Sequence, residues 1–202
     1  AQETESHCLS CHSNPDLSLT LPSGETLALD IDPAKLADSL HSPLGIECEA
    51  CHTNITGYPH PEITYQNRRE LARSYYQACQ KCHTDQYDKT LDSMHAQIAE
   101  GGNLVAPVCT DCHGSHYVTT PDEPRATVSQ TCGHCHTDVY DVYKQSVHGD
   151  ALINQDNPDV PVCTDCHGVH NIHDPRTSQF RVAEPELCAG CHADTALMGK
   201  YD

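Results

Sequence analysis

All fourteen cysteines of this 202-residue chain fall into C-x-x-C pairs, and histidine follows every pair directly. The groups are Cys8/Cys11/His12, Cys48/Cys51/His52, Cys79/Cys82/His83, Cys109/Cys112/His113, Cys132/Cys135/His136, Cys163/Cys166/His167 and Cys188/Cys191/His192. Residues three apart share one face of a helical turn, so two thiols so placed reach the two vinyl groups of one porphyrin. The next residue then sits beneath the ring and offers an imidazole nitrogen to iron. C-x-x-C-H is the attachment signature of c-type haem. Zinc ribbons and thioredoxin-like sites also use C-x-x-C pairs, but neither needs the histidine that follows all seven pairs here. The spacing also sets aside a disulfide framework, the default for so many cysteines in an oxidising compartment. The expectation is seven haem c groups, with the fourteen cysteines as thioether anchors and the seven adjoining histidines as proximal iron ligands.

Nine histidines remain, and an internal repeat sorts most of them. The run from Cys79 to His116 recurs from Cys132 to His170, with His-Thr-Asp-x-Tyr after the first motif, Ser-x-His in the middle and C-H-G-x-His at the end. His41, His95 and His148 share the Ser-x-His setting; His116 and His170 share the C-H-G-x-His setting. His60 takes the corresponding downstream place at a longer spacing. These six are the expected distal ligands. His7 and His173 compete for the seventh position, with His7 preferred. His134 lies inside the Cys132–Cys135 loop, where its ring would struggle to reach another iron. Of the two thioethers, Met94 abuts His95 and Met198 stands near the end of the sequence. Methionine ligation would raise a haem potential, and bis-histidine ligation throughout is the simpler reading.

The repeat implies one heptahaem domain, 1–202, built from two-haem units at about 8–78, 79–131 and 132–187 plus a terminal haem unit at 188–202. The segments Val108-Cys-Thr-Asp-Cys-His-Gly-Ser-His116 and Val162-Cys-Thr-Asp-Cys-His-Gly-Val-His170 resemble those of the multihaem c-type cytochromes of anaerobic respiration, and the likeness runs over nearly the whole chain. That resemblance implies haem attachment outside the cytoplasmic membrane, and so an exported protein, periplasmic or extracellular at the cell surface. It implies electron transfer to redox partner proteins or extracellular acceptors, with no catalytic residues. A soluble periplasmic shuttle and a subunit of an extracellular polymeric filament both fit. In the filament, His7 of one subunit would ligate the Cys188/Cys191 haem of the next, a head-to-tail contact that propagates without closing. The alternative is a catalytic cytochrome of the nitrite or hydroxylamine type; similar enzymes use an open or lysine-bearing haem, and no C-x-x-C-K occurs here.

The elements that must hold these groups are short. Asp32-Pro33 signals a helix start toward His41. Helical spacing of apolar residues runs over 66–83, 85–98 and 138–148, and Pro185 opens a last helix through the Cys188 motif. Alternating leucines at 17, 19, 21, 27 and 29 around Ser23-Gly24 suggest one hairpin. The fold class is therefore mostly irregular with short α-helices, haem-cored, with little β structure. Only 37% of residues are hydrophobic, with one Phe and no Trp, against about 45–50% in typical domains, so porphyrins must supply much of the core. Tyr87 and Tyr140, equivalent in the repeat, are expected to pack against ring edges. The formal charge of −18 repels nucleic acid and anionic lipid, and no apolar run is long enough to span a membrane. Ala1-Gln2-Glu3 reads as a mature end left by signal cleavage. Asp156, Asn157 and Asp159 could hold a calcium ion, although no full loop motif is present.

The mass of the purified protein should exceed that of the bare polypeptide by seven haem groups. Mass spectrometry decides this, and a colourless product of polypeptide mass would refute it.

Overall fold

The computed structural model describes residues 7–201; the Ala1-Gln2-Glu3 end lies outside them. In chain order the described elements are α1 (Leu9–His12), β1 (Ser18–Thr20), β2 (Thr26–Ala28), α2 (Pro33–Ala37), a 3-10 turn at Ser42–Leu44, α3 (Cys48–Cys51), α4 (Arg68–Tyr75), a 3-10 helix at Tyr76–Lys81, α5 (Thr84–Leu91) and α6 (Met94–Glu100). There follow α7 (Cys109–His113), α8 (Ala126–Gly133), α9 (Thr137–Lys144), α10 (Val147–Gln155), α11 (Cys163–His167), α12 (Ser178–His192) and α13 (Thr195–Met198). Half of the chain, 51%, is helical, in short pieces joined by irregular loops, with one two-stranded sheet among the described residues. This is the fold class that the sequence implies.

Two compact units divide the chain: 1–87 with 104–120, and 88–103 with 121–202. In the first, β1 and β2 pair antiparallel with Leu19 opposite Leu27. Gly24, at φ +87°, closes the turn by donating to the Leu21 carbonyl at 2.8 Å. The hairpin is tied to the start of α4 by Ser23 N–H donating to the Gln66 carbonyl and Arg68 N–H to Glu25. Asp32 caps α2 by accepting from Ala34 and Lys35 amides, with Pro33 in the first turn; the helix stops at Ala37, short of His41. The expected 66–83 helix is α4 followed by tighter 3-10 geometry through the Cys79 motif.

The second unit shows why the other long helices break. Ser93 Oγ accepts the His95 amide at 3.1 Å and Ser146 Oγ accepts the Gly149 amide at 3.1 Å. A serine that captures an amide in this way starts a helix, so α6 and α10 begin anew after α5 and α9 end. Gly149 is required where α10 starts, because a Cβ there would lie 1.9 Å from the Tyr143 carbonyl oxygen. Pro185 does not open the last helix: Thr177 Oγ1 caps α12 at Phe180 N–H, and Pro185 lies in its interior. An interior proline deprives the carbonyl four residues earlier of its donor. The calcium reading also fails here, since Lys200 Nζ reaches Asp159 at 2.8 Å and Tyr201 Oη contacts both Asn157 and Asp159. A cation already sits on that carboxylate and holds its pKa below the usual range.

Side-chain packing alone is thin. Among the described residues the buried apolar set is Leu21, Ala106, Leu152 and Val162. The chain exposes 14055 Å², where even two separate compact bodies of half this mass would expose roughly 11,000 Å². A polypeptide with this little buried apolar surface does not offset its conformational entropy. Replacing all fourteen cysteines by serine should therefore leave a chain whose far-ultraviolet circular dichroism lacks this helix content; a retained helical signal would show that the polypeptide packs unaided.

Candidate haem-binding sites

Each attachment motif is one helical turn. The amides of His12, His52, His83 and His136 donate to the carbonyls of Cys8, Cys48, Cys79 and Cys132 at 2.8–2.9 Å. The other three motifs lie within α7, α11 and α12. That bond sets both thiols and the imidazole on one side of the backbone. In the first six motifs the leading thiol is half-buried and the second exposed; the exposed ones are Cys11, Cys51, Cys82, Cys112, Cys135 and Cys166. In the last motif Cys188 and Cys191 are both exposed.

Cys11 and Cys112 show what the polypeptide by itself leaves open. As expected thioether anchors both belong beside a porphyrin, yet neither is covered by protein. The reason is their place in the turn. The leading thiols Cys8 and Cys109 meet another motif, at Cys48 and Cys79, and the thiols three residues on stand at the outer side. There the Ser10 hydroxyl approaches Cys11 Sγ at 3.9 Å, and negative charge on Cys112 opposes ionisation of Cys109. A ring bound to both thiols of a turn would cover that outer side.

Five of the proximal imidazoles face a second imidazole among the described residues. Ring centroids are 6.1 Å apart for His12 and His60, 5.9 Å for His52 and His116, and 6.1 Å for His41 and His83 in the first unit. In the second unit they are 6.1 Å for His95 and His136 and 6.0 Å for His148 and His192. Two imidazoles that ligate one metal from opposite faces, each nitrogen about 2 Å from it, have centroids about 6 Å apart. The donor set therefore fits a six-coordinate haem iron. The protonation pattern agrees at one site. His12 Nδ1 lies 2.6 Å from the Leu29 carbonyl and His60 Nδ1 2.9 Å from the Pro61 carbonyl. A carbonyl there selects the Nδ1–H tautomer and leaves Nε2 free for a metal. The Leu29 carbonyl comes from the strand end of the hairpin, and this gives that sheet a role in the site.

Burial pulls the pKa of His52, His95, His113 and His116 below the ordinary value, and neighbouring imidazoles add to the effect: His12 and His60 for His52, His136 for His95, His83 for His113, and His52 with His12 for His116. All four are thus held neutral, the form that binds iron. Of the remaining candidates, His7 stacks on Tyr58 with centroids 6.2 Å apart. His170 takes a positive φ of 68° after α11. His134 caps the end of α8. The His173 amide donates to the His167 carbonyl at 2.8 Å.

Within each unit the thiols interact in series. Cys8 and Cys48 sulfurs lie within 4.8 Å of each other; Cys79 hydrogen-bonds Cys109, and Cys132 hydrogen-bonds Cys163. Two second cysteines continue it, since Cys51 interacts with Cys79 and Cys82, and Cys166 with Cys188 and Cys191. Cavities open at these same steps, about 570 Å³ beside Cys51 and Tyr75 and about 390 Å³ beside Cys166 and Cys188. Tyr75 packs 4.7 Å from His52 and donates to Asn54 at 2.8 Å. Tyr140 lies against Gly133 in the Cys132 loop, where a Cβ would come within 2.7 Å of its ring.

Reading the sequence alone misses two devices. Arg69 donates to Asp111 at 2.7 Å and to the Leu104 and Ala106 carbonyls, while Asp111 also accepts the Val108 amide at 2.6 Å. Arg125 repeats this on Asp165 and the Val160 carbonyl, with Asp165 accepting the Val162 amide at 2.6 Å. Each arginine clamps a Cys-Thr-Asp-Cys-His turn. The second device is Phe180, whose ring stacks on His167 at 5.3 Å and 10°.

Residues 104–193, which hold four of the seven attachment motifs, match the family model described as cytochrome c3. The match supports a multihaem c-type cytochrome carrying haem c and acting in electron transfer. Comparison with curated proteins and with solved structures finds no match. No helix among the described residues is long and apolar enough to cross a membrane.

Arg69→Ala and Arg125→Ala should each destabilise the haem-loaded protein by about 1–2 kcal/mol, through one partly exposed ion pair and the hydrogen bonds around it. Denaturant titration followed at the Soret band reads the loss, and unchanged midpoints in both variants would deny the clamps a structural role.

Proposed function

We propose that this chain carries seven haem c groups on its seven motifs and passes electrons along them as an exported carrier. The observation that carries the reading is the set of five facing imidazole pairs at 5.9–6.1 Å. In it, His12, His52, His83, His136 and His192 are proximal ligands and His60, His116, His41, His95 and His148 the distal ones. His113 and His167 are proximal ligands of the other two haems, and His170 and His7 stay as further distal candidates. An iron held by two imidazoles has no open position, so it exchanges electrons through the porphyrin edge and leaves substrates alone.

The thiol contacts support the two-haem units at 8–78, 79–131 and 132–187. Each joins its haems through leading cysteines, Cys8 to Cys48, Cys79 to Cys109 and Cys132 to Cys163. Attachments this close keep porphyrins near one another, and electron tunnelling requires that. A periplasmic shuttle serving redox partner proteins is preferred to a head-to-tail filament, because His148 already faces His192 at the haem that His7 of a neighbour would otherwise complete.

Electron paramagnetic resonance of the oxidised protein should show predominantly low-spin bis-imidazole haems, and redox titration should give low, overlapping potentials. His95→Ala should turn the Cys132/Cys135 haem high-spin and raise its potential while the other haems keep their spectra. Rapid turnover of nitrite or hydroxylamine by the unaltered protein would replace this reading with the catalytic one.

A further inference from the structure

Helices α5 and α9 are copies of one element, and they differ on the side turned to solvent. His-Thr-Asp-x-Tyr opens both, so Tyr140 of α9 stands where Tyr87 stands in α5. The inner side of α9 is tyrosine: Tyr140 lies against Gly133, and Tyr143 Oη donates to the Pro161 carbonyl at 2.8 Å. The solvent side carries Val139 and Val142, 66% and 71% exposed. At the equivalent places α5 carries Gln86 and Lys89, which are exposed as well. Residues three apart share a helix face, so the two valines form one apolar ridge where the other copy is polar.

That contrast separates a partner's surface from a porphyrin's. Each copy places an apolar residue directly before its Ser-x-His histidine, Leu40, Met94 and Val147, as a position beside a haem common to all copies requires. Positions 139 and 142 break that rule. Under a porphyrin the Gln86 amide and the Lys89 ammonium would lose their water without gaining a partner. The face they mark is therefore a solvent face, and the valines on it answer to something other than haem.

We infer that the Val139–Val142 face of α9 is the docking surface for a basic redox protein, one whose apolar contact patch is ringed by lysine or arginine. The inference rests on the electron-carrier reading. Exposed Asp138 stands beside this ridge, one turn before Val142. The cation of α9 is drawn the other way: Lys144 Nζ binds Asp141 at 2.7 Å and lies 5.0 Å over the Tyr140 ring. A chain of net charge −18 steers cationic partners toward itself, and an uncharged centre within a charged rim is how such an interface holds. The place suits electron exchange, since α9 starts at His136 and Val139 follows that proposed iron ligand by three residues.

Calorimetric titration of the haem-loaded protein with mitochondrial cytochrome c, a basic one-haem protein, tests this at low ionic strength. The unaltered chain should bind it, with an affinity that falls as salt is added, and should not bind flavodoxin, an acidic redox protein. Val139→Gln/Val142→Gln gives α9 a polarity that α5 already carries, so the fold should persist while the dissociation constant rises about tenfold. Gln86→Ala on α5 should leave that constant unchanged. A parent that binds no basic cytochrome, flavodoxin bound as tightly, or an unchanged constant in the valine variant overturns the inference. Hexaammineruthenium, a small reagent that needs no docking face, separates the two failures: a protein that passes it no electrons fails the electron-carrier reading instead.

Discussion

One hydrogen bond per motif organises the molecule: the histidine amide closing on the carbonyl of the leading cysteine four residues before it. His12, His52, His83 and His136 make it at 2.8–2.9 Å. A single α-turn is marginal by itself, because nucleation fixes several dihedrals for one bond. Several of these turns are held from outside. The hairpin carbonyl of Leu29 reaches His12, the Arg69 and Arg125 clamps secure Asp111 and Asp165, and the Tyr140 ring sits on Gly133. Loops between the turns need only deliver a second group opposite the imidazole, so short helices suffice and no extended sheet is required.

Acidic charge and sparse apolar packing act on the same groups. With haem bound as proposed, reduction would remove a positive charge, which a chain of net −18 disfavours, so potentials would be pushed down. Imidazole pairs would reinforce this, and a half-buried His95, its pKa lowered by burial and by His136, would offer iron a nitrogen donor without a competing proton. With Leu21, Ala106, Leu152 and Val162 the buried apolar residues among those described, the polypeptide would draw on porphyrin faces, in the proposed reading, for the burial that drives folding. The outward thiols of Cys11 and Cys112 mark where such faces would lie. In that reading cofactor and core are one object.

What is local in this structure is legible in the sequence. The attachment turns, the Asp32-Pro33 helix start and the Ser23-Gly24 hairpin each involve residues a few positions apart, whereas Ser93 and Ser146 break helices that apolar spacing runs through. The candidate histidines were legible too, since the repeat displays them, but their partners were not. His41, His95 and His148 face the proximal histidine of the following repeat, and His60 and His116 face those of earlier motifs. Nothing in a spacing pattern carries that register. The arginine clamps were hidden because Arg69 and Arg125 stand at different distances ahead of Cys79 and Cys132, so aligning the repeats does not pair them. Phe180 was invisible because a lone phenylalanine reads as core.

The forward register has a mechanical consequence as well as an electronic one. On the proposed ligation, an iron shared by His95 and His136, or by His148 and His192, would cross-link one repeat to the next, and closing such a loop reduces the conformational freedom of the unfolded chain. In the same reading the leading cysteines would tie haems within a repeat, while Cys51 and Cys166 interact with the cysteines of the following motif. Electron path and fold would then run through the same atoms. On the proposed ligation, a ligand lost at one haem would weaken the chain at the same point where it would break the electron path.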